Sequence, residues 1–431
     1  MSLRDIIISG LLLGSLPLCF FRPWIGVLVW SWVGYMAPHK LMWNWTHLLP
    51  WAQMVAISTL AGLPFNGGWR PIPKSLLWYL LLGLWGVFLL STVFAVYQED
   101  AWGKFWQVSK ILLVTVLTLG LFQDQKRLRY LIWVIVLSIG YYGVKGGIWA
   151  LLTGGANKVM GPEGTFLTGN TEIGLALVMI LPLILFLRQV EERYNFRQML
   201  LGIFLLCIVA IIFTHSRGAL LGLLVMLGLL FLKSRAKIIF LCGILIGVPL
   251  FLSFAPDAWF NRMDTIQNYE GESSAMGRLW SWELAWRMGL DKPIFGLGFR
   301  PFRAEMYAYY TPHLPVRSAD AHSIYFQVLA EHGFVGLAVY LSLLGLTLVA
   351  LRKIRKDSKR DPETAWITNY ADMIFAGLVG FAITGAFLSM SYFDLYFHYL
   401  AIAIILQKMN QRVGRSQLYV VGQQVPSLRK V

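Results

Sequence analysis

Long apolar runs recur along almost the whole of this chain, and no other feature limits its fold as strongly. A helix needs roughly 20 apolar residues to cross the hydrocarbon core of a bilayer. Runs of that character cover 76–97, 106–122, 131–152, 171–187, 199–214, 217–232, 238–255, 322–350, 370–390 and 392–408. Charged residues make up only 14% of the 431 residues, against about a quarter in a soluble domain. The expected fold is an all-α polytopic membrane protein from which no soluble domain can be cut. The opening runs 6–21, 23–37 and 51–65 are shorter and broken by Pro17, Pro23, Pro38 and Pro50.

Charge then orients the chain. The net charge of +15 is not spread as a nucleic-acid-binding surface would be. Cations cluster in short loops at Lys126, Arg127 and Arg129, at Arg188, Arg193 and Arg197, at Lys233, Arg235 and Lys237, and from Arg352 to Arg360. This is the positive-inside pattern, which assigns those loops to the cytoplasm. Walking back along the runs puts 69–75 there too, and a cytoplasmic N-terminus then gives twelve crossings; thirteen with an outside N-terminus is the alternative. The segments 153–170, 214–217 and 256–321 fall outside. The chain divides into membrane helices over 1–255, a partly helical periplasmic segment over 256–321, further membrane helices over 322–408, and a basic cytoplasmic tail over 409–431. The first run follows Arg4 without a cleavage site and reads as retained. Cys19, Cys207 and Cys242 sit within apolar runs, without metal-ligand spacing.

Three outer motifs carry candidate chemistry. In Thr214-His-Ser-Arg-Gly218, Thr214 or Ser216 is placed to cap the following helix. Arg217 then begins a membrane helix, where it reads either as a phosphate ligand or as an arginine snorkelling to headgroups. Gly277-Arg278-Leu279-Trp280 opens a helix whose Leu279, Trp282 and Trp286 recur on one face, as in a helix lying flat at the interface. Arg278 there is a second phosphate ligand, or the partner of Glu272 or Glu283. In Asp320-Ala-His322-Ser323, Asp320 is a plausible N-cap, making His322 the second residue of a long helix. A helix N-terminus disfavours a cation and favours a bound anion, which suits a neutral imidazole acting as general base. Glu331, about 13 Å further along the axis, reads as structural. His215 is a competing base, and Asp394 with His398 forms either a proton relay or a satisfied buried pair. No Asp-x-Asp for a divalent metal stands on an outer segment, and no P-loop is present.

With Arg217-Gly218, Gly277-Arg278, Lys292-Pro-Ile-Phe-Gly296-Leu-Gly298 and His322-Ser-Ile-Tyr-Phe-Gln-Val-Leu-Ala-Glu331-His-Gly333-Phe-Val-Gly336 in this order, the chain resembles the bacterial O-antigen ligase and polymerase superfamily. Pro23-Trp24 and Tyr35 to Lys40 further resemble the branch of exosortase-system-associated O-glycosylation ligases. Two departures stand out. Gly164-Thr-Phe-Leu-Thr-Gly169-Asn170 replaces a common Gly-x-x-x-Asn-Pro-Asn and leaves Asn170 an accessory candidate, and the usual His-Asn is His322-Ser323.

The resemblance implies an inverting, metal-independent glycosyltransferase without cofactors in the bacterial inner membrane, its active site facing the periplasm. The donor would be a glycan on undecaprenyl diphosphate and the acceptor a lipid A–core molecule. Arg217 and Arg278 would hold the diphosphate, and His322 would accept the proton. An O-antigen polymerase or a protein O-oligosaccharyltransferase would share the donor site and differ in acceptor. A lipid-linked-sugar transporter is the rival of another class, and Glu172 and Lys145 are the charges that would serve it.

Overall fold

The computed structural model describes residues 3–42, 45–233, 273–316, 318–359 and 364–423, with the single positions 237, 245 and 249. Among these residues there are fourteen α-helices and no strand, so the chain is an all-α polytopic membrane protein. The helices are α1 (Leu3–Phe21), α2 (Pro23–Met36), α3 (Trp51–Asn66), α4 (Leu76–Val93), α5 (Gln98–Leu121), α6 (Gln125–Leu152) and α7 (Asn170–Val190). They continue with α8 (Tyr194–Ile212), α9 (Arg217–Lys233), α10 (Ser273–Asp291), α11 (Ala304–Tyr310), α12 (Ile324–Ser358), α13 (Ala365–Gly385) and α14 (Asp394–Gln423). Eight of them, α1, α4 to α8, α12 and α13, are long and apolar enough to cross a membrane. The apolar part of α9 is shorter, and α2 and α3 have only 14 and 16 residues. The expected run 238–255 lies outside the described residues apart from positions 245 and 249.

Burial follows composition. α7 is apolar all round, and every residue from Ile173 to Ile184 is buried, as a helix without a polar face must be. Its neighbours are α6, α8, α9 and α13. The stretch from Leu395 to Leu406 of α14 is likewise wholly buried. Gly147 lets α6 and α8 close together, since a Cβ there would stand 2.4 Å from Leu206 O.

The loops sort to two ends. At one end Arg129 bonds Val190 O and Glu191, Arg70 bonds Gln123 O at 2.9 Å, and Lys408 reaches Pro71 O and Gln123. These are loops expected in the cytoplasm. At the other end Val159 N donates to Phe213 O at 2.9 Å, and Val96 N donates to Leu297 O at 3.0 Å. There the segments 153–170, 213–217, 292–316 and 318–323 assemble.

α12 is broken near that end. Gly333 has φ 68° and ψ −170°, a conformation that side chains avoid. A Cβ on it would lie 2.5 Å from Pro293 O. The break frees backbone groups that would cost about 1–3 kcal/mol each if buried unpaired. The loop 292–298 takes them up: Leu297 N donates to Ala330 O, Gly298 N to Glu331 O, and Phe334 N to Pro293 O at 2.7 Å. The Gly296-x-Gly298 and Gly333 motifs are therefore two halves of one contact.

Candidate active site

The site begins at the turn between α8 and α9. Thr214 Oγ1 donates to Ile211 O at 2.7 Å and accepts from Ser216 N, while His215 takes a left-handed φ of 54°. Ser216 Oγ accepts from Ala219 N at 3.3 Å and caps α9, as the sequence predicts. Arg217 is thus the first residue of α9. Asn170, first in α7, donates from Nδ2 to Thr214 O at 2.8 Å and draws the two helix starts together.

These starts open on a cavity of about 130 Å³ lined by Lys158, Asn170, Thr171, His215, Ser216, Arg217 and Arg278. Four residues expected from sequence, Asn170, His215, Arg217 and Arg278, meet there. Lys158 does so as well, and nothing in its local sequence marks it. No carboxylate lines the cavity among the described residues. Three cations and the N-termini of two helices therefore face one space, an arrangement suited to an anion carrying several negative charges.

Arg278 reaches the cavity from α10. One turn on, the Trp282 ring stacks on Phe326 at 5.3 Å and lies 6.4 Å from Phe387. The flat interfacial helix is corrected in this respect. Leu279 and Trp286 are exposed, but Trp282 turns inward because Leu284, Ala285 and Met288 bury the adjoining face against α12. Glu283 pairs with Arg287 and His313, and Glu272 lies outside the described residues.

His322 does not line the cavity, and it is not in the helix. α12 starts at Ile324, capped by Ser323, whose Oγ accepts from Tyr325 N. Asp320 is thus not the cap. His322 has φ 49° and donates its backbone N–H to Ser389 Oγ at 2.8 Å. Non-glycine residues are uncommon in this region of the map, and such strain collects at functional sites. Ser389 belongs to the turn after α13, whose Phe387 packs on Gly218, 3.1 Å from where a Cβ would stand. The turn after α13 thus meets both the His322 backbone and Gly218, the residue that follows Arg217.

Asp394 stands apart from this cavity. Its side chain does not pair with His398, whose Nδ1 is 2.6 Å from Tyr35 Oη and whose Nε2 is 3.5 Å from Ser31 Oγ. The buried-pair reading is corrected accordingly, because tyrosine and serine already satisfy the imidazole. Glu331 is structural as expected: its carboxylate accepts from Arg300 N and from the Tyr392 hydroxyl. His332 sits beside it between Ser91 Oγ (2.8 Å) and Tyr392 Oη (2.7 Å). None of these partners is near in sequence.

Two family models match the chain, one described as O-antigen ligase over residues 202–341 and one described as a family of unknown function over residues 3–192. No curated protein matches it. The cavity is built across both matched stretches: Arg217 and Arg278 come from the first, Lys158 and Asn170 from the second.

Proposed function

The chain belongs to the O-antigen ligase family through its residues 202–341, and from that premise we propose that it transfers a glycan from undecaprenyl diphosphate to a lipid A–core acceptor on the periplasmic side of the inner membrane. The observation that carries this reading is the cavity that Arg217, Arg278 and Lys158 line together. A diphosphate is the part of such a donor that needs concentrated positive charge at the bilayer boundary. Guanidinium groups bind its oxygens through paired, charge-assisted hydrogen bonds.

In the proposed reaction the acceptor hydroxyl attacks the anomeric carbon from the face opposite the diphosphate. The bond from that carbon to the diphosphate oxygen breaks, and undecaprenyl diphosphate leaves with the electron pair. His322 takes the hydroxyl proton. The three cations stabilise the charge that grows on the leaving group, the service a divalent metal performs elsewhere. The anomeric centre is inverted, and no covalent intermediate forms.

The test is a transfer assay with purified protein, a polyprenyl-diphosphate glycan and lipid A–core, run with and without a chelator. Inverted product in both conditions is expected. Longer carrier-linked chains or glycosylated protein as the product would replace the acceptor assignment, and loss of transfer in the chelator would refute metal independence.

A further inference from the structure

The segment 386–393, which joins α13 to α14, lies outside both stretches matched by the family models. It nevertheless meets the elements that carry Arg217, Arg278 and His322. Phe387 packs on Gly218, the residue after Arg217, and its ring centre lies 6.4 Å from that of Trp282, one turn along α10 from Arg278. Ser389 Oγ accepts the backbone N–H of His322 at 2.8 Å. Ser391 fastens the start of α12: its hydroxyl donates to Ile324 O at 2.9 Å, and its N–H donates to Gln327 Oε1 at 3.3 Å. Tyr392 reaches the break in α12. Its hydroxyl donates to the Glu331 carboxylate and stands 2.7 Å from His332 Nε2.

The two ends of this series are held differently. Tyr392 is buried, and its ring meets those of Phe88 and Phe299 edge-on, with centres 5.3 and 5.2 Å away. The groups around its hydroxyl are themselves fixed. Glu331 also accepts from Arg300 N at 3.2 Å. His332 Nδ1 lies 2.8 Å from Ser91 Oγ of α4, and that hydroxyl donates to Glu331 O at 2.6 Å. A buried polar chain whose members are all satisfied is rigid, and a broken one is costly. His322, by contrast, is half-buried and has a φ of 49°. Such a backbone persists only where its surroundings over-determine it. A serine hydroxyl can do so only if the serine is itself held, and Ser389 stands three positions before Tyr392.

Building on the transferase reading, we propose that Tyr392 and Ser389 are positioning residues for glycan transfer: the buried chain at Tyr392 fixes the segment 386–393, and Ser389 on that segment holds His322 in its left-handed turn. The test reads the His322 amide by hydrogen exchange in the detergent-solubilised full chain, together with transfer kinetics. Ser389→Ala removes the acceptor of that amide, and its exchange is expected to rise about tenfold, as for the loss of one hydrogen bond. Tyr392→Phe removes only the remote anchor, and a rise in the same amide is expected. In both variants kcat falls about tenfold or more, as for a catalytic group set out of line, while KM for the lipid-linked donor is unchanged. The double variant is no slower than the slower single one, because both act through one segment. Native exchange across α7 shows that each variant is folded. Unchanged His322 exchange in Tyr392→Phe overturns the proposal, as do effects on kcat that multiply or a rise in exchange that spreads to α7. A native chain that shows both exchange responses but transfers no glycan sinks the transferase reading alone.

Discussion

Arg217 and Arg278 arrive at one cavity from helices that are far apart in sequence, and Lys158 completes the set from a loop. Replacing either arginine by alanine is expected to lower turnover about 10²–10³-fold, the effect of removing one donor aimed at developing charge. Arginine-to-lysine variants should recover part of that loss, because the charge remains while the planar fork is gone. His322→Ala should cost about 10²–10⁴-fold in turnover, the range for a general base; single-turnover transfer kinetics check all of these. Arg217 is legible in the sequence because it stands at the edge of an apolar run, and Arg278 because it opens a helix bearing Trp282 and Trp286 on one face. Lys158 is not, since a lysine in a polar loop gains meaning only when Val159 pins that loop to Phe213. The backbone of His322 was likewise hidden. Its left-handed turn is set by Ser389, 67 residues away.

The elements that position these groups are a capped helix start and a broken helix. Ser323 caps α12 just after His322. Ser323→Ala is expected to cost about 1 kcal/mol and to lower turnover by releasing the loop that holds the base. Ser323→Asn should preserve both, because asparagine caps equally well; thermal unfolding and the transfer assay together decide it. Gly333→Ala is expected to destabilise the protein by about 1–3 kcal/mol, the cost of holding a side chain in a strained backbone region, since the new Cβ meets the Pro293 carbonyl. A lowered unfolding temperature would bear this out. Apolar periodicity marked α12 as one long run and could not show the break, because the compensating hydrogen bonds come from residues 293–298. The Asp394–His398 spacing was misleading for a similar reason. Helical geometry puts both on one face, but Tyr35 and Ser31 on α2 claim the imidazole.

At the scale of the whole molecule, the loops divide into a basic end and an end that holds the cavity. Composition made that division legible, because a bilayer leaves no other place for charge. The short helices α2 and α3 were less legible, since prolines interrupt their runs. With the cavity end outside, a cysteine replacing Thr153 should react with a membrane-impermeant maleimide in spheroplasts. One replacing Lys126 should react only after the membrane is permeabilised, and the reverse pattern would invert the orientation. The central claim is that a lipid-linked diphosphate occupies the cavity. The most direct measurement is a cryo-EM map of the full chain with undecaprenyl diphosphate. Phosphate density between Arg217, Arg278 and Lys158 is the predicted result; density for the diphosphate at the basic end, or elsewhere with that cavity empty, would contradict the account.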